Sequence, residues 1–364
     1  MDVFLSHTTA LAALRSWGLR RALERGEREN VTVPEGLPGS DELSELRRRL
    51  PASVGEGELE LAVRSGRPGL RRRSGVRVRR EGEPLPEGAA VRVADGVVCS
   101  SPELVVVQMA PQLTDLELAM LLCELLGRYA VNPDAEDGML QRDVPVTTPE
   151  RLRAFLDGLG SRRGVRRVRR AISQACVGSG SPRESKLSLR FTLRPGLGGW
   201  NLDLLSMNAP VEVRRIHNAL SRGVRRPDIL LCAGGPGGQR RVVAVEYNGR
   251  RHDHPARLAA DALRTNELKA MGIGEYIVRR EQYEDLDYMD GLVERIRRDL
   301  ALPRTGLTSE EAARRRALRQ RLYEELELID GVHWNGRERA RRRLAASDGE
   351  AAWDVVPVEA YGID

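Results

Sequence analysis

Lysine is nearly missing from this chain: all but two of its 59 basic residues, Lys186 and Lys269 being the exceptions, are arginine. Such a skew follows from GC-rich coding as readily as from selection for guanidinium chemistry. Arginine number alone is therefore no sign of a nucleic-acid partner, and only clustering counts. Aromatic residues are scarce at 4%, which leaves Leu, Val and Ala to build the cores. The four cysteines, at 99, 123, 176 and 232, form no C-x-x-C pair, so neither a zinc site nor a disulfide framework is indicated. No apolar run approaches the roughly 18 residues of a membrane span. The opening MDVFLSHTTALAAL lacks a charged n-region and a cleavage site. The expectation is a cytoplasmic protein with no membrane partner.

What is present is a chain of 364 residues with 41% apolar content, a length that favours two domains. Its net charge of +6 and pI near 9.4 permit a DNA partner without requiring one. Arginines cluster at Arg71 to Arg73 with Arg77, Arg79 and Arg80, and again from Ser161 to Arg170. In the second run Arg166, Arg167 and Arg170 are candidate phosphate contacts, and the alternative is a solvated helix face.

Residues 1 to about 165 read as an α+β domain. Thr8 and Thr9 can cap a helix carrying Leu11, Leu14 and Trp17, and Asp41 can cap another that ends before Pro51. Glu58 to Val63, Val76 to Arg80 and Ala90 to Val98 alternate as strands, with turns at Gly66, Gly82 and Asp95-Gly96. A helix runs from Leu113 through Leu126. His7 reads as a satisfied structural imidazole. Nothing in this half has catalytic spacing.

The stretch RRPDILLCAGGPGGQRRVVAVEYNGRRH, from Arg225 to His252, is different. Two short β-rich runs flank a glycine-rich segment, which predicts an antiparallel hairpin. Closing it near Gly235 to Gly238 sets Asp228 close to Val245 and Glu246. Side chains alternate along a strand, so Glu246 and Asn248 share one face and Tyr247 takes the other. Two carboxylates and an amide at one sheet edge suit a hard cation such as Mg²⁺, completed by water and phosphate.

These residues, with Asp261-Ala-Leu-Arg264-Thr-Asn-Glu-Leu268 after them, resemble the Vsr-like branch of the PD-(D/E)XK nucleases over roughly Ser181 to Leu300. That branch reads as aspartate, hairpin, E-Y-D-G-x-x-H, then a helix bearing D-x-x-R-x-x-x-L. The resemblance implies an α/β chain whose residues 166 to 303 form a restriction-endonuclease-like domain, a mixed sheet flanked by helices. It implies a Mg²⁺ or Mn²⁺ ion held by Asp228, Glu246 and the Tyr247 carbonyl, no small-molecule cofactor, and DNA as substrate. It also places His252 as a proton acceptor for the attacking water and Arg264 on a phosphate. Two departures stand out. Asn248 replaces the third acidic residue, and no lysine follows Glu246 by two positions. Val98 to Gln108, Val146 to Leu152 and Arg163 to Ala171 are similar to the region joining AbiEi-like antitoxin modules to such nuclease domains. This second resemblance implies an association with toxin–antitoxin or phage-defence systems.

Ser181-Pro182-Arg-Glu184 supports two readings of Glu184: a helix cap, or a first-helix glutamate reaching the metal. His254 reads as an exposed loop imidazole, and Asp261 as the ion-pair partner of Arg264 on its helix. The helix from Ser181 ends near Pro195, Gly196 to Gly199 reads as a flexible bend, Val211 to Ile216 and Glu275 to Arg279 as strands, and Asp287 to Leu300 as an amphipathic helix. Residues 304 to 364 form a basic helical extension opening at Thr308. Two functions follow: a Mg²⁺-dependent DNA endonuclease with Asp228, Glu246, Asn248, His252 and Glu184 at its centre, or a cleavage-incompetent DNA-binding or antitoxin-like regulator on the same fold.

Overall fold

The computed structural model describes residues 3–50, 52–55, 57–65, 73–82, 84–215, 218–234, 240–248, 266–304 and 306–347. Labels below are given to strands and to helices of eight residues or more. The chain is mixed α/β, with both parallel and antiparallel strand pairs.

The first half builds a five-stranded sheet. Its strands are β1 (Val3–Leu5), β2 (Leu59–Arg64), β3 (Val76–Glu81), β4 (Ala90–Ala94) and β5 (Val97–Ser100), in the order β3-β2-β1-β5-β4. Ala90 to Val98 forms a hairpin that reverses at Asp95-Gly96, the expected turn. Gly96 takes φ +69° there, a left-handed conformation that costs glycine nothing. Helix α1 (His7–Arg15) leaves β1 directly, and α2 (Ser40–Arg49) starts one residue before Asp41.

Helix α3 (Pro102–Met109) went unread because every one of its residues is buried. A helix buried all round carries no polar stripe for periodicity to detect. Its Glu103 is held by the Arg28 guanidinium through two bonds of 2.9 Å and by the Thr147 hydroxyl at 2.6 Å. Helix α4 (Asp115–Leu125) carries a capping box between Thr114 and Glu117. The hairpin β6 (Tyr129–Val131) and β7 (Met139–Gln141), then α5 (Pro149–Gly158) and α6 (Val165–Ile172), complete this half. Its apolar core gathers side chains from Phe4 to Ile172.

A second core draws on Met120 and Cys123 of α4 and on side chains from Cys176 to Ile329. It is built on α7 (Pro182–Thr192), β8 (Asp203–Met207), β11 (Ile229–Gly234), β12 (Arg240–Asn248), β13 (Gly274–Arg279) and α8 (Leu286–Asp299). Between β8 and β11 lies a two-stranded ribbon, β9 (Val211–Arg215) with β10 (Asn218–Arg225). The sheet order is β13-β12-β11-β8, with β12 antiparallel to β11 and parallel to β13. Ile229, Leu231, Val243 and Val245 face the helices, whereas Leu230 and Ala244 face Val213 and Leu268 on the other side.

The C-terminal extension is part of this packing. Helix α9 (Ser309–Glu327), capped by Thr308, sends Leu322 and Leu326 into the second core. Helix α10 (Gly336–Ser347) docks its first amide onto the buried Glu117 carboxylate at 2.7 Å. The arginines of the extension answer acids of the same fold: Arg316 pairs with Asp287, Arg319 with Asp290, and Arg321 and Arg343 with Glu325.

The expected flexible bend at Gly196 to Gly199 is instead a 3-10 turn over Pro195–Leu197 pressed against α9. Gly198 has φ +84°, and a β-carbon on it would overlap the Leu318 carbonyl. Glycine is required by close approach rather than by mobility. Gly198→Ala is expected to destabilise the protein by roughly 2–4 kcal/mol, combining left-handed strain with overpacking. A urea midpoint unchanged from wild type would refute this packing.

Candidate functional site

Asp228 stands at the entrance to β11, straight after Pro227. Ile229 pairs with Val245, and the register carried back one residue sets Asp228 opposite Glu246. Residues directly opposed in an antiparallel pair share a face, with β-carbons about 4.5–5.5 Å apart. The Oδ2 of Asp228 accepts the backbone N–H of Tyr247 at 2.7 Å, which ties the carboxylate to the end of β12. Asp228 and Glu246 are half-buried and Asn248 is exposed. By alternation Asp228, Glu246 and Asn248 lie on the face of Leu230 and Ala244. Tyr247 packs on the opposite side, edge-on to Tyr283 at 5.9 Å.

Two features near this site were not anticipated. Asn208, at φ +49° just after β8, donates through Nδ2 to Glu184 at 2.7 Å. Its N–H donates to the carbonyls of Pro227 at 3.0 Å and Asp228 at 3.2 Å. It thus links the start of α7 to the segment that carries Asp228. The signal was local, since asparagine before Ala-Pro is a residue that tolerates positive φ. The other is Glu267, 0% exposed, whose carboxylate takes the Arg225 guanidinium at 2.5 and 2.8 Å. This pair joins β10 to the helical turn over 266–270, beside Leu268.

Glu184 acts as a cap. Its oxygens accept from the Gly180 N–H at 2.8 Å, the Ser181 hydroxyl at 2.9 Å and the Asn208 amide, while Ser181 Oγ accepts the Glu184 N–H at 3.2 Å. Its reach toward Asp228 is indirect, through Asn208. His252, His254, Asp261 and Arg264 lie outside the described residues. Arg166 and Arg170 are exposed on α6, a helix of the first core rather than of the sheet bearing Asp228. Arg167 is committed to that core's own structure. It ion-pairs with Asp115 and donates to the Ala110 and Leu113 carbonyls.

The donor set at Asp228 and Glu246 consists of oxygens, which fits a hard cation and not a thiolate- or imidazole-seeking one. Among the described residues no group of three or more His, Cys, Asp or Glu side chains is placed to hold a metal ion. A site here would rest on two carboxylates, within the number Mg²⁺ accepts from protein. All four cysteines are free. Among the described residues no helix is long and apolar enough to cross a membrane. No family model, curated protein or solved structure matches the chain.

His7 departs from the expected satisfied imidazole. It is 8% exposed with φ +48°, and its Nδ1 is buried without a hydrogen-bond partner. Burial, reinforced by Arg79 and opposed by Glu60, lowers its pKa from 6.5 to about 4. Between those values the unfolded chain binds a proton that the folded chain refuses, so stability falls as pH drops from 6.5 toward 4. The loss is up to about 3 kcal/mol. His7→Asn, which tolerates positive φ and does not titrate, should flatten this part of the urea-derived stability curve. Identical slopes for the two proteins would remove His7 as the cause.

Proposed function

We propose that the chain is a Mg²⁺-dependent DNA endonuclease whose centre is Asp228 and Glu246. The observation that carries this reading is their placement. The register of β11 against β12 puts two carboxylates 18 positions apart on one face, and Asp228 is held at the end of β12 by the Tyr247 amide. The four-stranded mixed sheet with α7, α8 and α9 packed against it supports assigning this half to a restriction-endonuclease-like domain.

Asp228, Glu246 and the Tyr247 carbonyl would hold the ion, which when bound supplies a more acidic water and neutralises charge on the scissile phosphate. The protein's own part is positioning. The Tyr247 N–H and the Asn208 link hold Asp228, and the Arg225–Glu267 pair fixes the strand that leads into it. His252 is assigned the role of proton acceptor on the resemblance alone. AbiEi-like organisation of the first half and a link to phage defence belong to the same proposal.

One observation favours a second reading, a nuclease fold that binds DNA without cutting it. Asn248 presents an exposed neutral amide where the resembled pattern has a carboxylate, and an amide holds a hard cation less firmly. Supercoiled plasmid separates the two. The endonuclease nicks it with Mg²⁺ or Mn²⁺ and stops in EDTA. The regulator retains DNA in a salt-sensitive way and leaves the plasmid intact.

A further inference from the structure

A cavity of about 240 Å³ opens in the first half of the chain, between the five-stranded sheet, α2 and the loop from Pro34 to Pro38. It is separate from the Asp228 centre and belongs to the other core. Its inner walls are Phe4, Leu46, Leu61, Val63 and Val97, each at most 3% exposed. Its outer lining includes the exposed Glu42, Glu45, Arg49 and Asp95. An apolar chamber of about 150 Å³ already admits benzene, so the space is sufficient for one ring and a short side chain.

The charges at the opening choose among ligands. Three carboxylates stand there against one guanidinium. Glu45 is paired outward with Arg48 at 2.6 Å, and Glu42 accepts the Gly39 N–H at 2.6 Å. The Arg49 guanidinium is turned onto the Asp95 carbonyl at 2.6 Å, which bridges α2 to the β4–β5 turn. The balance at the mouth is negative, and the interior offers dispersion contacts. We propose that this cavity binds a small apolar molecule bearing one positive charge, an aryl-alkyl amine, with its ring among Leu46, Leu61 and Val63 and its ammonium at the carboxylate mouth. Pockets of this make-up, apolar walls with a few oriented polar groups, are the usual form of small-molecule sites.

The test uses the full chain and three probes of matched size: phenethylamine, 3-phenylpropionate and ethylbenzene. Ligand-detected NMR should show phenethylamine binding at least about tenfold more tightly than the carboxylate, a ratio worth about 1.4 kcal/mol, and losing affinity as salt rises. Leu46→Trp, checked for folding by circular dichroism, should abolish binding by filling the chamber. Asp95→Asn, an exposed change in a turn that suits asparagine, should reduce the preference for the amine while leaving ethylbenzene binding unchanged. The proposal is overturned by equal binding of amine and carboxylate. It is overturned as well by no binding of any probe at millimolar concentration, or by binding that Leu46→Trp leaves intact. Should Leu46→Trp fail to fold, the Asp95→Asn preference decides. None of these outcomes depends on DNA cleavage.

Discussion

Asp228→Asn should abolish metal-dependent plasmid nicking, by at least about 100-fold, while leaving the fold and salt-sensitive DNA retention in place. The asparagine carbonyl can still accept the Tyr247 N–H that Asp228 accepts at 2.7 Å, so the junction of β11 and β12 keeps its bond. What disappears is one unit of negative charge at the point where a hard cation would bind. Removing one of the two anionic groups that the described residues place at this site leaves too little to hold Mg²⁺. Neutralisation of phosphate charge is a dominant contribution in phosphodiester hydrolysis. The companion change is Asn248→Asp, which adds a carboxylate on the same face and should lower the Mg²⁺ concentration needed for half-maximal nicking. If wild type nicks and Asp228→Asn nicks at the same rate, Asp228 is not the centre. If wild type never nicks but Asn248→Asp does, the native chain is the binding-only form and the site geometry is nonetheless right.

The hairpin at the heart of this argument was legible because three local rules agreed: β-branched runs, a glycine-rich interruption, and period-two alternation that puts Glu246 and Asn248 together. The start of α7 was legible too, since Ser181-Pro182 is a helix-opening pattern and Ser181 does cap it. The opposite case is α3, whose eight residues are all buried and therefore lack a one-sided apolar stripe. Asn208 and Glu267 share another reason for escaping notice. Their partners lie tens of residues away, and nothing in the local sequence distinguishes a polar residue buried by tertiary packing from one left in water. Glycines misled in the same way at Gly198, where composition suggested mobility and the cause is the proximity of α9.

Glu327→Ala should be the most damaging change outside the proposed Asp228 site, lowering stability by about 2–3 kcal/mol, below the cost of breaking a fully buried pair because the Glu327 side chain is 25% exposed. Glu327 ends α9 and takes the Arg183 guanidinium at 2.6 Å, the Lys186 ammonium at 3.5 Å and the Tyr283 hydroxyl at 3.3 Å. Burial pulls the Lys186 pKa down, and Glu327 opposes it. Burial pushes the Glu327 carboxyl up, yet Lys186 and Arg183 bring it below its usual value. Because the folded carboxyl is the more acidic, this contribution is present above the unfolded pKa and is lost as pH falls through the folded one. Removing the carboxylate leaves two cations on one turn of α7 facing each other, with the Lys186 side chain only 8% exposed. The melting temperature should drop by about 5 °C.

Combining Glu327→Leu with Lys186→Met removes one charge of each sign and should restore most of the loss, since a buried pair can be replaced by apolar groups at little cost. Equal melting temperatures for wild type and Glu327→Ala would show the pair to be dispensable. The consequence reaches the hairpin through a chain of ring contacts. Arg190, 2% exposed, lies 4.6 Å from the Tyr283 ring centre and 5.1 Å from that of Tyr323. Tyr283 in turn meets Tyr247, the residue whose amide holds Asp228. A protein weakened at Glu327 should therefore lose cleavage on warming before it loses its helical signal, and the double replacement should recover both together.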